Sequence, residues 1–181
     1  YYYLEDKGID LNTSQPILSD KKIKKIGKGI IKGLTELQKY GFAHLDLKLE
    51  NIIIDKYLNT TIIDFDTAKY LFTNTSLNIL NGFTGTKWYA APEIYENYYT
   101  NKSDIWSLGI ILWILKTGNY PYNINEDDTT IDENILSLQS FNNFELINDS
   151  EIFLDLMNNI FQKKSKDRYS LENVKKHWYF N

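Results

Sequence analysis

Apolar residues first recur at helical spacing in Ile23, Ile26, Ile30, Leu34 and Leu37, with lysines between them and Gly41 closing the run. That period predicts an amphipathic helix entered at Ser19 or Asp20, whose side chains can accept from the free N–H groups of a first turn. Ahead of it, residues 1–4 read as a short strand-like lead-in and 5–16 as an irregular connection. The period then changes. Residues 52–54 and 61–63 are short β-branched runs around 55–60, which predicts a hairpin. Residues 67–90 mix Thr, Ser, Asn and Gly without a period and predict a long loop of the kind that carries function. Pro92 suits the first position of a short helix. Ser103 or Asp104 opens a strongly apolar helix, broken only by Ser107 and Gly109, that stops before Gly118 and reads as buried. Weaker helices are predicted at about 131–139, 150–162 and 170–177. The expected fold is mainly α with one small β-hairpin.

Composition narrows the class. The 181 residues are 43% hydrophobic, and a single domain of this size buries roughly 70% of its unfolded surface. No apolar run approaches the ~20 residues of a membrane span, so no membrane partner is expected. The net charge of −4 argues against a nucleic-acid surface. The one basic cluster, Lys21 to Lys32, is interleaved with Ile at helical spacing and reads as a solvated helix face. The absence of cysteine excludes disulfides and zinc-thiolate sites and fits an intracellular, cytoplasmic protein. Of 20 basic residues only Arg168 is arginine. The chain opens on Tyr1 and its one methionine is Met157, so it is expected to be a piece of something longer.

Candidate chemistry concentrates in His44-Leu-Asp-Leu-Lys-Leu-Glu-Asn51 and in Asp64-Phe-Asp66. A hydroxyl that attacks a phosphoryl group needs a carboxylate to orient it and take its proton, and Asp46 can supply one. Lys48, two residues on, can neutralise charge on the transferred oxygens. Asn51 and Asp64 offer hard oxygen ligands suited to Mg²⁺. A hairpin between them would bring both to one edge. Taken singly, each of these polar residues could equally cap a turn. His44 stands among Phe42, Ala43 and Leu45 and reads as a core histidine rather than a ligand.

These strings, followed by Gly85-Thr-Lys-Trp-Tyr-Ala-Ala-Pro-Glu93, Asp104-Ile-Trp-Ser-Leu-Gly109 and Gly118-Asn-Tyr-Pro-Tyr122, resemble the C-terminal lobe of eukaryotic-type Ser/Thr protein kinases. The resemblance runs over most of residues 1–181, taken as one C-lobe with residues 64–93 as the activation segment. It implies catalytic roles for Asp46, Lys48, Asn51 and Thr86. It implies ATP contacts from Lys48, Glu50, Asn51, Ile53 and Asp64, with Mg²⁺ held by Asn51 and Asp64. His44 and Phe65 would stack in a hydrophobic spine, Asp104 would brace the catalytic-loop backbone, and Arg168 would pair with Glu93. The implied partners are a protein substrate with Ser or Thr acceptors and an N-terminal lobe in the same polypeptide. That lobe's glycine-rich loop and lysine strand do not occur in these residues, so residues 1–181 by themselves are expected to transfer no phosphate.

Leu45 and Asp66 depart from the pattern. Relatives often carry Arg at the first position, to gather a loop phosphate, and Gly at the second. Asp66 adds charge beside the metal and, if the backbone there takes a positive φ, bears more strain than Gly. Two further readings stay open: a catalytically impaired relative that serves as a protein-binding scaffold, and a small-molecule phosphotransferase of the aminoglycoside or choline kinase type, whose metal motif also reads like Ile63 to Asp66.

Overall fold

The computed structural model describes residues 2–3, 18–72, 78–122 and 151–181. The connection expected at 5–16 and the helix expected at 131–139 lie outside the described residues.

Helix α1 (Asp20–Lys39) buries Ile23, Ile26, Ile30 and Leu34, as the apolar period requires. Ser19 is its N-cap residue but makes no side-chain capping bond. Asp20, the other capping candidate, accepts instead from Lys116 Nζ at 2.8 Å and from the Tyr179 hydroxyl at 3.2 Å. Its carboxylate thus ties the start of α1 to two distant segments. The helix ends where Gly41 turns left-handed at φ 79°.

The expectation of one hairpin is too simple. Seven two- or three-residue strands form three small antiparallel sheets among the described residues. The hairpin exists as β3 (Ile52–Ile54) against β4 (Thr60–Ile62), with Ile53 opposite Thr61. The lead-in strand β1 (Tyr2–Tyr3) adds to the free edge of β3. Strands β2 (Phe42–Ala43) and β5 (Lys69–Tyr70) form a second pair, and β6 (Asn78–Ile79) and β7 (Tyr98–Tyr99) a third. Strands β5 and β6 lie within the stretch read as an aperiodic loop, and β7 lies beyond it. Strands of two residues carry no alternation long enough to read from sequence.

Helix α2 (Pro92–Tyr95) starts on its proline, and α3 (Ser103–Thr117) is buried from Ser103 to Leu115. An all-round apolar helix belongs in the centre of a core, and α3 packs between α1 and α4 (Glu151–Ile160). Helix α5 (Leu171–Lys176) begins at Ser170 with a capping box formed with Asn173. A one-turn 3₁₀ helix (Trp178–Phe180) closes the chain.

Candidate active site

The loop from His44 to Asn51 is fixed from below by Asp104 on α3. Its carboxylate accepts the backbone N–H of His44 at 2.7 Å and of Leu45 at 2.8 Å. Burial raises the pKa of this carboxyl, opposed by the neighbouring His44 and by these two N–H donors. The brace matters because Leu45 sits at φ 65°, a conformation a leucine adopts only when its surroundings impose it. His44 is fully buried; its Nε2 meets the Ile63 carbonyl at 3.1 Å and its Nδ1 accepts from the Asp46 N–H at 3.3 Å. The imidazole therefore links the loop to the end of the hairpin. Phe65 packs against it at 5.1 Å between centroids with the rings tilted by 57°, yet stays 49% exposed.

Above this base the candidate groups converge. The Thr86 hydroxyl donates to Asp46 Oδ1 at 2.6 Å, and Lys48 Nζ donates to Thr86 Oγ1 at 3.0 Å. Lys48 Nζ also lies 3.1 Å from Asp46 Oδ2, with both side chains mostly buried. Asn51 Nδ2 donates to the Asp46 carbonyl at 2.8 Å and to Asp46 Oδ2 at 3.3 Å. Four residues from two segments 35 or more positions apart thus share one hydrogen-bonded cluster. The approach needs Gly85. It sits at φ 85°, and a Cβ there would overlap the Leu45 carbonyl oxygen.

The hairpin delivers the remaining ligands. The Ile63 N–H donates to the Asn51 carbonyl at 3.0 Å, which sets Asp64 beside Asn51 in space. Asn51 spends its amide nitrogen on Asp46, and among the described residues its Oδ1 and the exposed Asp64 carboxylate take no protein donor. Oxygen donors left without protein partners fit Mg²⁺, which keeps waters and phosphate oxygens as its other ligands. The positive φ falls at Asp64 (62°), and Asp66 is not among the positive-φ residues. The backbone strain anticipated for Asp66 is therefore not there. Ile53 is half-buried between the buried Ile52 and Ile54, so it presents the opposite sheet face.

Glu50 stands apart from the cluster. Its Oε2 is sealed from solvent with no partner among the described residues. Burial, then Tyr120 and Glu50, push the Tyr89 hydroxyl far above the ordinary tyrosine range. The Glu50 side chain makes no described bond to Asp46, Asn51 or Asp64.

The activation segment is anchored at its far end by Glu93. Both its carboxylate oxygens meet Arg168, at 2.7 and 2.8 Å. A loop braced from beneath, a hydroxyl-linked carboxylate and lysine, and a segment ending in a buried ion pair form the arrangement expected of the kinase motifs. The protein kinase domain family model matches residues 3–180. The chain belongs to that family.

Relatives carry matching names. The "Probable serine/threonine-protein kinase KCC4" of Saccharomyces cerevisiae is 33% identical over 153 residues, 82% of this chain and 14% of that protein. The serine/threonine-protein kinase chk1 of Schizosaccharomyces pombe is 41% identical over 93 residues, 51% of this chain and 19% of its own length. The serine/threonine-protein kinase KIN4 of Saccharomyces cerevisiae is 30% identical over 155 residues, 82% of this kinase domain and 19% of its own length. The chain thus spans less than a fifth of the length of each of these relatives. Membership in the protein kinase family removes the small-molecule phosphotransferase reading.

Proposed function

We propose that this kinase domain is the C-terminal lobe of a protein serine/threonine kinase that moves the γ-phosphoryl group of ATP to hydroxyls of a protein substrate. The N-terminal lobe would come from the same polypeptide. One observation carries the reading: Thr86, on the segment that would receive substrate, is bonded to both Asp46 and Lys48. Its hydroxyl meets the carboxylate at 2.6 Å, the distance at which a carboxylate can orient a hydroxyl and accept its proton.

Asp46 would hold the acceptor hydroxyl and take its proton as the new P–O bond forms. Lys48 would keep Asp46 in place through Thr86 and offset negative charge on the transferred oxygens. Asn51 and Asp64 would hold Mg²⁺, with Ile53 beneath the nucleotide base. ATP–Mg²⁺, when bound, supplies the phosphoryl group and the divalent charge that draws its oxygens. The intracellular, cytoplasmic placement expected from the cysteine-free composition belongs to the same proposal.

The test is transfer from γ-labelled ATP by the full-length protein to peptides that differ only in a Ser, Thr or Tyr acceptor. Label on Ser and Thr is expected. Label on Tyr alone, or none on any peptide while nucleotide binds, would overturn the proposal, and the second result would favour the scaffold reading.

A further inference from the structure

Helix α1 is the most charge-segregated of the described elements. It carries seven lysines against Asp20 and Glu36, a net of +5 within a chain of net −4. Lys21, Lys25, Lys28 and Lys32 are all exposed. At 100° and 1.5 Å per residue they fall within about 60° of arc and form a straight ladder about 16 Å long. None of the four makes an ion pair among the described residues, whereas acids around the helix are already engaged. Asp20 holds Lys116, Glu172 holds Lys176, and Asp155 meets His177. Asp55 accepts from Tyr57, Asn59 and the Asn59 amide within its own turn, and of the four ladder lysines only Lys25 adds, as the smallest contribution, to the field that lowers its pKa.

The segments flanking the ladder add to it. On one side Gly29 and Gly33 abut Thr60 and Ile62, at the end of the turn that carries exposed Lys56 and Tyr57. On the other, Lys24 Nζ lies 5.2 Å from the Tyr179 ring. Next to that tyrosine Trp178 is 78% exposed, and α5 ends in exposed Lys175 and Lys176.

Against the sequence expectation of no membrane partner, which rests on the lack of a spanning segment, we propose that this face of α1 docks the protein on an anionic membrane surface by electrostatic adsorption. The apolar side of α1 is buried in the core, so the helix lies on the surface as a rigid rod and does not insert. A ladder built only from lysines supplies mobile point charges without the planar fork that selects one fixed carboxylate or phosphate geometry. A fluid layer of anionic headgroups asks for no such geometry. Tyr and Trp rings prefer the lipid–water boundary, which gives exposed Tyr57 and Trp178 a place there. The proposal does not depend on phosphoryl transfer.

The experiment is co-sedimentation of the full-length protein with vesicles of phosphatidylcholine alone or mixed with phosphatidylserine. Binding is expected only to the mixed vesicles, and its loss at about 0.5 M salt, where screening is nearly complete. Each lysine near the surface contributes about a fivefold factor in partitioning, so K21Q/K25Q/K28Q/K32Q should weaken binding by at least tenfold. The control K69Q/K163Q/K164Q/K166Q removes four charges elsewhere and should bind as the parent does. Thermal midpoints by circular dichroism establish that both variants are folded. If the ladder variant does not fold, the salt dependence and the control variant still decide. A blue shift of emission on adding mixed vesicles, absent in W178F, would place Trp178 at the contact. No binding to mixed vesicles overturns the proposal. So does equal loss in both variants, or retention by poly-glutamate or nucleic acid with none by vesicles.

Discussion

Arg168 grips Glu93 through two parallel hydrogen bonds, Nη1 to Oε1 at 2.7 Å and Nη2 to Oε2 at 2.8 Å, with both side chains at most 1% exposed. Further groups of the pair are also engaged. Arg168 Nε donates to the Gln162 carbonyl at 3.1 Å and Nη1 to the Lys102 carbonyl at 2.9 Å, while Ser103 donates to Glu93 Oε1 at 2.8 Å. A buried pair is worth its desolvation only when this network is complete, and removing one partner strands a charge. Arg168→Ala or Glu93→Ala should each cost about 3–5 kcal/mol. Arg168→Lys should recover little, because an ammonium cannot make both bonds to the carboxylate and still hold two carbonyls. A double-mutant cycle by chemical denaturation checks this, and a coupling energy near zero would refute it.

That pair was legible through the resemblance to the kinase motifs, which implies it, and the single arginine among 20 basic residues agrees with it. The kinase motifs also singled out the cluster of Asp46, Lys48, Asn51 and Thr86, since each lies in a short string with fixed internal spacing. The places where sequence fell short have physical causes. The strands at 69–70, 78–79 and 98–99 are set by partners far along the chain and not by their own alternation. Asp20 looked like a cap, but a lysine 96 positions away outcompetes the local N–H groups.

Gly85 should prove the most sensitive position of the activation segment. An alanine there would meet two obstacles at once: a φ of 85° that L side chains avoid, and the Leu45 carbonyl oxygen in the space its Cβ needs. That oxygen belongs to a loop held by Asp104, so it cannot give way. Gly85→Ala should displace Thr86 from Asp46 and lower turnover by about tenfold or more, the scale on which small misplacements near the chemistry act. The far end of the segment, held by Arg168, should keep its place. Wild-type turnover in the purified variant would show that the segment docks differently.

Asp104 should couple stability to pH in the direction opposite to a surface carboxylate. Its folded pKa is raised, chiefly by burial, so the folded chain binds a proton more tightly than the unfolded one. Its contribution to stability is then greatest below the unfolded value, about 3.9, and declines as pH rises through the raised folded value. Asp104→Asn removes that titration. It also leaves one of the His44 and Leu45 N–H groups facing an amide NH₂, which should cost about 1–3 kcal/mol at neutral pH. Urea melts of both proteins at several pH values test the claim. The stability difference between them should widen as pH falls, and a constant difference would contradict it.

Asp46→Asn is the sharpest test of the cluster, because it changes charge and basicity while keeping shape. The Asn51 bond to the backbone carbonyl of residue 46 does not involve the altered side chain, and an amide oxygen can still accept from Thr86 or Lys48. The loop should therefore stay in place, and nucleotide affinity should be nearly unchanged. What is lost is the group that orients and deprotonates an incoming hydroxyl, so turnover in the full-length protein should fall by about 10²–10⁴-fold. Thr86→Val separates positioning from chemistry: it keeps Asp46 but removes the hydroxyl that joins it to Lys48. Its loss should be smaller, about tenfold, and should fall on the rate constant with substrate more than on nucleotide binding. If Thr86→Val were the more damaging of the two, Asp46 would be a structural residue and the carboxylate would not be the base.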